Sequence, residues 1–227
     1  MTRPWRVLER VSTPDGQLEL RQRGERDFLI TQDGRVLMNA HANRSELALG
    51  ERAAAALAAH PRPRLLIGGL GMGCTLRAAL DGLPAEAQVT VAELNPVIAA
   101  WCRGPLAALT GGAVEDPRVE VWIGDVARRI ALAAEDGPAF DGIALDLYEG
   151  PAPGVRSLRD PHFGEEALRR CRGALAPGGL LAIWAEDPDP AFVDRLRRAG
   201  FEVHQERPGR GGRRHVVYLA TLAAARS

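Results

Sequence analysis

LLIGGLGMGCTLRAAL, residues 65–80, reads as a buried strand, a glycine turn and the start of a helix. Leu65, Leu66 and Ile67 form a short apolar run, which Gly68, Gly69, Leu70, Gly71, Met72 and Gly73 bring to an end. Leu76, Ala79 and Leu80 then recur on one side at helical spacing. Glycine permits the tight turn and lets a ligand approach the backbone where a Cβ would block it. The helix beyond it offers unsatisfied N–H groups and the positive end of its dipole. Nucleotides and nucleoside-containing cofactors bind at such junctions. A glycine turn alone also occurs in α/β proteins that bind nothing there, so the reading depends on the strands downstream.

Those strands end in acids. Residues 88–93, QVTVAE, close on Glu93, and Asn95-Pro96 then opens a helix, proline being favoured in a first turn. Glu93 lies 20 residues beyond Gly73, where a carboxylate takes both hydroxyls of a ribose. The plain alternative is a solvated strand-end carboxylate. Residues 118–123, RVEVWI, lead into Gly124-Asp125 and a helix through Val126, Ile130 and Leu132. Residues 140–146, FDGIALD, are nearly all apolar and end in Asp146, as a central parallel strand requires. Ligands bind at the carboxyl ends of strands in open α/β sheets. Gly69, Leu70, Gly71, Met72, Gly73, Glu93, Leu94, Gly124, Asp125 and Asp146 are therefore predicted to share one rim, and their convergence carries the reading.

Upstream, residues 1–44 read as a small antiparallel β domain, with turns at Pro14-Asp15-Gly16 and Asp33-Gly34. Residues 45–227 form the nucleoside-binding domain. Ser45-Glu46 opens an alanine-rich helix to about His60, which Pro61 and Pro63 terminate. After Asp146, residues 147–161 form a long Gly- and Pro-rich loop, a length that is usually functional, and a mobile lid is expected there. A helix from about His162 to Leu175, a Pro177-Gly178-Gly179 turn, a strand over 180–185 and a helix over 189–199 come next. Residues 201–204 and 215–222 close the chain as an antiparallel hairpin around the arginine-rich segment 207–214, read as a solvated tip.

Composition narrows the chemistry. Of 227 residues 46% are hydrophobic and 26% charged, which supports a packed core. Twenty-nine basic against 29 acidic residues leave no electrostatic case for nucleic acid or a membrane surface. Every basic residue is arginine, so Schiff-base chemistry and a P-loop lysine are excluded. No run is long enough for a membrane span, and no signal-peptide core precedes the first strand. Cys74, Cys102 and Cys171 are odd in number and form no C-x-x-C pair, which points to a reducing cytoplasm. Cys74 at a helix N-terminus has either a lowered pKa or a plain packing role. His41, His60, His162, His204 and His215 show no metal spacing, and no metal is expected.

These residues together resemble the spermidine synthase (polyamine aminopropyltransferase) family, from Asp15-Gly16 to the end of the chain. The resemblance is carried by Ile67-Gly68-Gly69 and the glycines after it, the segment 91–98 (VAELNPVI), Asp116-Pro117-Arg118-Val119, Gly124-Asp125, Phe140-Asp141-Gly142-Ile143 to Asp146, and Phe163-Gly164-Glu165-Glu166. It implies a Rossmann-like α/β fold of the class I methyltransferase type, with a mostly parallel sheet, a C-terminal antiparallel hairpin and a small β domain in front. It further implies a cytoplasmic enzyme of polyamine biosynthesis, often a homodimer. In the resemblance Glu93 matches the ribose-binding acid and Asp125 the acid that meets the adenine amino group. Asp146 matches the first aspartate of an Asp-Ser-Ser-Asp-Pro loop, whose role is to take a proton from the attacking amine. The departures are specific. The family's glycine loop carries an aspartate, absent from residues 68–73. The aspartate-rich loop reads Asp146-Leu147-Tyr148-Glu149-Gly150-Pro151, with Glu149 as the stand-in for the second acid. The family's Tyr-Gln pair falls near Leu49-Gly50, where neither residue occurs.

The chemistry implied is displacement at a sulfonium, with decarboxylated S-adenosylmethionine as donor and an amine as acceptor. A neutral thioether leaves without acid help, so the protein must align the reactants and keep the amine unprotonated. Asp146 is the candidate base, with Tyr148 and Glu149 completing the acceptor pocket. The missing loop aspartate leaves methyl or aminocarboxypropyl transfer from intact S-adenosylmethionine open, since glycine-turn N–H groups suit a donor carboxylate. Two other classes compete. Gly69-Leu70-Gly71-Met72-Gly73-Cys74 nearly fits G-x-G-x-x-G/A, the mark of an NAD-dependent oxidoreductase. A noncatalytic nucleoside-binding module is the third.

Overall fold

The computed structural model describes residues 3–148, 150–151, 158–209 and 215–223. The alternating residues at the start of the chain form a meander of four antiparallel strands, β1 (Arg6–Thr13), β2 (Gly16–Arg23), β3 (Asp27–Gln32) and β4 (Arg35–Asn39). Asp33 and Gly34 both take positive φ, 48° and 81°, so the Asp-Gly pair makes the expected two-residue hairpin turn. Leu18, Leu20, Phe28 and Ile30 on the inner face join Leu49, Leu65 and Leu76 in one apolar cluster. The small sheet thus shares its core with the rest of the chain.

The second sheet has seven strands in the order β10-β11-β9-β8-β5-β6-β7. The strands β5 (Arg64–Gly68), β6 (Gln88–Glu93), β7 (Val119–Ile123), β8 (Phe140–Leu145) and β9 (Leu175–Ala185) are parallel. The closing hairpin adds β10 (Phe201–Glu206) and β11 (Val216–Leu222), and β11 lies antiparallel between β9 and β10. On one face lie α1 (Arg44–Leu57), α2 (Cys74–Gly82) and α3 (Pro96–Arg103). On the other lie α5 (Val126–Asp136), α6 (Glu165–Ala174) and α7 (Pro190–Arg198), α4 being a short helix over Ala107–Thr110. Every residue of β8 is buried, as its apolar run predicts. The strand order reverses at β5, so its carboxyl end opens at a topological switch point.

Some boundaries differ from expectation. The helix expected from His162 begins at Glu165, because the Asp160 carboxylate accepts the His162 and Phe163 N–H groups and holds a turn there. Residues 176–179 are absorbed into β9: Phe140 pairs with Leu175 and Gly142 with Leu180, which leaves Pro177-Gly178-Gly179 as a bulge. The short α4 and a 3-10 turn (Ala113–Glu115) carry no clear signal in the sequence. Leu132 is exposed, the buried face of α5 being Val126, Ile130 and Ala133.

Candidate active site

Backbone hydrogen bonds tie the strand ends together. Gly69 donates to the Ala92 carbonyl (2.9 Å), Asp146 to Gly68 (2.8 Å) and Gly124 to Glu93 (2.9 Å). The glycine turn, Glu93, Leu94, Gly124, Asp125 and Asp146 therefore occupy one rim. The glycines are needed there for a reason the sequence does not show. Gly69, Gly71 and Gly73 take φ of 87°, 52° and 81°, in the left-handed region. A Cβ on Gly69 would collide with the Asp146 carbonyl and one on Gly71 with Met38 of β4, so the close approach they permit is first of all to the chain itself.

Leu70 and Met72 are buried in the core by their side chains, and Leu70 serves the rim by its main chain. Leu70 N–H donates to Glu93 Oε2 (2.9 Å), and Asn95 N–H to Oε1 (2.8 Å). Burial raises the Glu93 carboxyl above its usual range, against the pull of these N–H groups and those of Gly71 and Leu94. Leu70 and Asn95 each engage a different carboxylate oxygen, which fixes the orientation of the acceptor pair at the strand end. No side chain caps α2, whose first amides come directly after the glycine turn. Leu94 itself is exposed.

Asp125 is the N-cap of α5, accepting the Ala127 N–H at 2.9 Å, and lies 3.0 Å from His162 Nε2. Its carboxylate is exposed and already engaged, so any adenine contact shares it with a helix cap and an imidazole. A cavity of about 490 Å³ opens beside Asp125 between α5 and α6, walled by Arg128, Arg159 and Arg170. Neither Glu93 nor Asp146 lines it.

Asp146 sits half-buried at the end of β8. Burial first, and the Glu46 charge second, push its carboxyl up to about 7, while a hydrogen bond from Thr75 pulls it down. Thr75 Oγ1 lies 2.6 Å from Asp146 Oδ2 and 3.1 Å from the Glu46 carbonyl. A hydroxyl has one proton. With Asp146 ionised it serves the carboxylate; once Asp146 is protonated, Thr75 can turn to the Glu46 carbonyl and accept from the acid. Asp146 can therefore take up a proton without leaving a buried hydroxyl unsatisfied.

Around Asp146 stand Glu46 and Thr75, with Ser45, His215 and Trp184 linked to them in turn, and the sequence singles out none of the five as a site residue. The one signal is Ser45-Glu46 at a helix start. Leu49 and Gly50, at the position of the family's Tyr-Gln pair, are packed between α1 and α2 instead. Tyr148 is exposed, and the Arg35 guanidinium of β4 stacks over its ring at 5.0 Å. Glu149, residues 152–157 of the expected lid and residues 210–214 of the arginine-rich tip lie outside the described residues. Cys74 is buried, and desolvation raises its thiol, so the helix N-terminus does not activate it. Cys102 is pushed up to about 12 by burial.

No protein-family model matches the chain. It is 32% identical over 148 residues to a polyamine aminopropyltransferase of Mycobacterium tuberculosis (strain CDC 1551 / Oshkosh), covering 63% of this chain and 27% of that one. It is 35% identical over 142 residues to a polyamine aminopropyltransferase of Synechococcus sp. (strain JA-2-3B'a(2-13)), covering 61% and 42%. The chain thus spans well under half the length of these curated relatives. Among solved structures, a spermidine synthase in complex with the transition state analogue AdoDATO superposes with a TM-score of 0.72 at 18% identity, over 95% of this chain and 72% of that one. The spermidine synthase of Thermotoga maritima gives 0.71 at 19% identity over the same shares. The strand order and these superpositions agree on the fold: a class I methyltransferase-type α/β domain behind a small antiparallel sheet, as in the spermidine synthases, in a chain whose sequence is similar to polyamine aminopropyltransferases.

Proposed function

We propose that this protein transfers an aminopropyl group from decarboxylated S-adenosylmethionine to a small amine. The observation that carries the reading is the juxtaposition, on one rim, of a ribose-competent carboxylate at Glu93 with a proton-accepting carboxylate at Asp146 beside Glu46. Glu93 would hold the ribose, the amides at the start of α2 would face the donor, and Asp125 would take the adenine edge. The amine nitrogen attacks the carbon next to the sulfonium. The C–S bond breaks with its electron pair left on sulfur, and the new ammonium gives its proton to Asp146. Glu46 adds a second negative charge, which concentrates a cationic acceptor and keeps Asp146 basic near neutrality. Three buried free thiols suit a reducing cytoplasm.

One observation favours a second reading. Residues 70 and 72 are apolar and buried, so the glycine turn places no carboxylate against a donor that keeps its own. Methyl or aminocarboxypropyl transfer from intact S-adenosylmethionine would use that opening. Calorimetry with methylthioadenosine, S-adenosylmethionine, its decarboxylated form and NAD side by side separates the readings. The proposal expects binding of methylthioadenosine and preference for the decarboxylated donor. Preference for the intact donor supports the second reading, and binding of NAD alone overturns both.

A further inference from the structure

Ser45 and His215 are 170 residues apart and meet beside Glu46. The Ser45 hydroxyl lies 2.7 Å from Glu46 Oε2 and 3.0 Å from His215 Nδ1. An ionised carboxylate only accepts, so Ser45 spends its single proton on Glu46. His215 must then donate to Ser45, which puts a proton on Nδ1 of the imidazole. Trp184 packs edge-on against that ring, with centroids 4.8 Å apart at 75°, and fixes its plane. Ser45 and Glu46 are both buried, so water does not replace the relay in the folded protein.

We propose that His215 is a positioning residue: through Ser45 it holds the Glu46 carboxylate beside Asp146 and so sets when the acceptor base is free to take a proton. This rests on the reading of Asp146 as that base. Among the described residues, the titratable groups that face Glu46 are Asp146 from the end of β8, the Cys74 thiol from α2 and His215, through Ser45, from the segment before β11. Of these, Asp146 shares Thr75 with the Glu46 main-chain carbonyl, which ties the start of α1 to the base, and the Glu46 carboxylate acts on Asp146 through its charge. Without the donor from His215, Ser45 is free to rotate, Glu46 relaxes toward solvent, and Asp146 loses the neighbouring charge that opposes its ionisation.

The test is a carboxyl-carbon NMR titration of Asp146 in the full chain without substrate, together with the pH profile of kcat/KM. His215→Ala should move the Asp146 midpoint down toward the ordinary carboxylate range, shift the acid limb of the profile the same way, and lower kcat/KM about 10–100-fold through misplacement. His215→Asn, whose amide can still donate to Ser45, should restore the midpoint. Methylthioadenosine binding should stay intact in both. If His215→Ala does not fold, Ser45→Ala breaks the relay one atom further on and is read by the same titration. An Asp146 midpoint that moves in Glu46→Gln but stays put when the relay is broken overturns the proposal. Because the titration needs no turnover, a protein that moved as expected yet transferred no aminopropyl group would sink the functional reading and leave the relay standing.

Discussion

Replacing Asp146 by Asn should make the protein more stable at neutral and alkaline pH. In the fold this carboxyl takes its proton at about 7, against an ordinary value of 3.8. An acid whose folded pKa is raised opposes folding wherever the unfolded chain has already ionised it. Here the penalty is absent below 3.8, grows as pH rises toward 7, and is complete above it. At about 1.4 kcal/mol per unit, the full displacement sets a ceiling of about 4 kcal/mol. Asn keeps the shape, still accepts from Thr75, and presents Glu46 with an amide in place of a like charge. Urea unfolding followed by the fluorescence of the four tryptophans measures the difference. Asp146→Asn should exceed the parent by about 2–4 kcal/mol near pH 8, with an unchanged slope, and the advantage should fade on acidification. A variant no more stable than its parent at pH 8 would mean that Asp146 is neither strained by burial nor opposed by Glu46, and the electrostatic account of the base would fall.

The geometry fixes two further outcomes. Glu93→Ala should weaken methylthioadenosine binding by roughly 1–3 kcal/mol, the scale of a lost buried polar contact, while leaving the amides of Leu70 and Asn95 without their acceptor; unchanged calorimetric affinity would remove the ribose assignment. Gly69→Ala should lower stability by about 2–4 kcal/mol, because a Cβ there meets the Asp146 carbonyl at a φ of 87°, and a thermal midpoint equal to the parent's would show that the turn is looser than described.

The features legible in the sequence are those that local pattern controls. The apolar run over 140–145, the strand-end acids Glu93 and Asp146 and the Asp33-Gly34 turn each announce themselves within a few residues, and each stands where it is expected. The steric reason for Gly69 and Gly71 is not legible, because Asp146 and Met38 come from other elements. The start of α6 lies later than its pattern suggests because the Asp160 side chain competes for the amides that would have begun the helix. Glu46 and His215 are hidden in the sequence for the same kind of reason. A glutamate in the first turn of a helix and a histidine before a strand are ordinary singly, and only the packing of α1 against β9 and β11 makes them neighbours. Asp125 stands on the rim as its strand-end position predicts, and its cap on the Ala127 amide is local, yet its contact with His162 depends on a turn 37 residues away.

The most direct measurement is the product formed from each donor. The protein is incubated with decarboxylated or intact S-adenosylmethionine and a panel of small amines, and the nucleoside released is identified by mass spectrometry. The account predicts methylthioadenosine from the decarboxylated donor, in step with an amine heavier by one aminopropyl group, and its loss by about 10²–10⁴ in Asp146→Asn. Release of S-adenosylhomocysteine from the intact donor, or methylthioadenosine formed at the parent rate by the Asn variant, would contradict it.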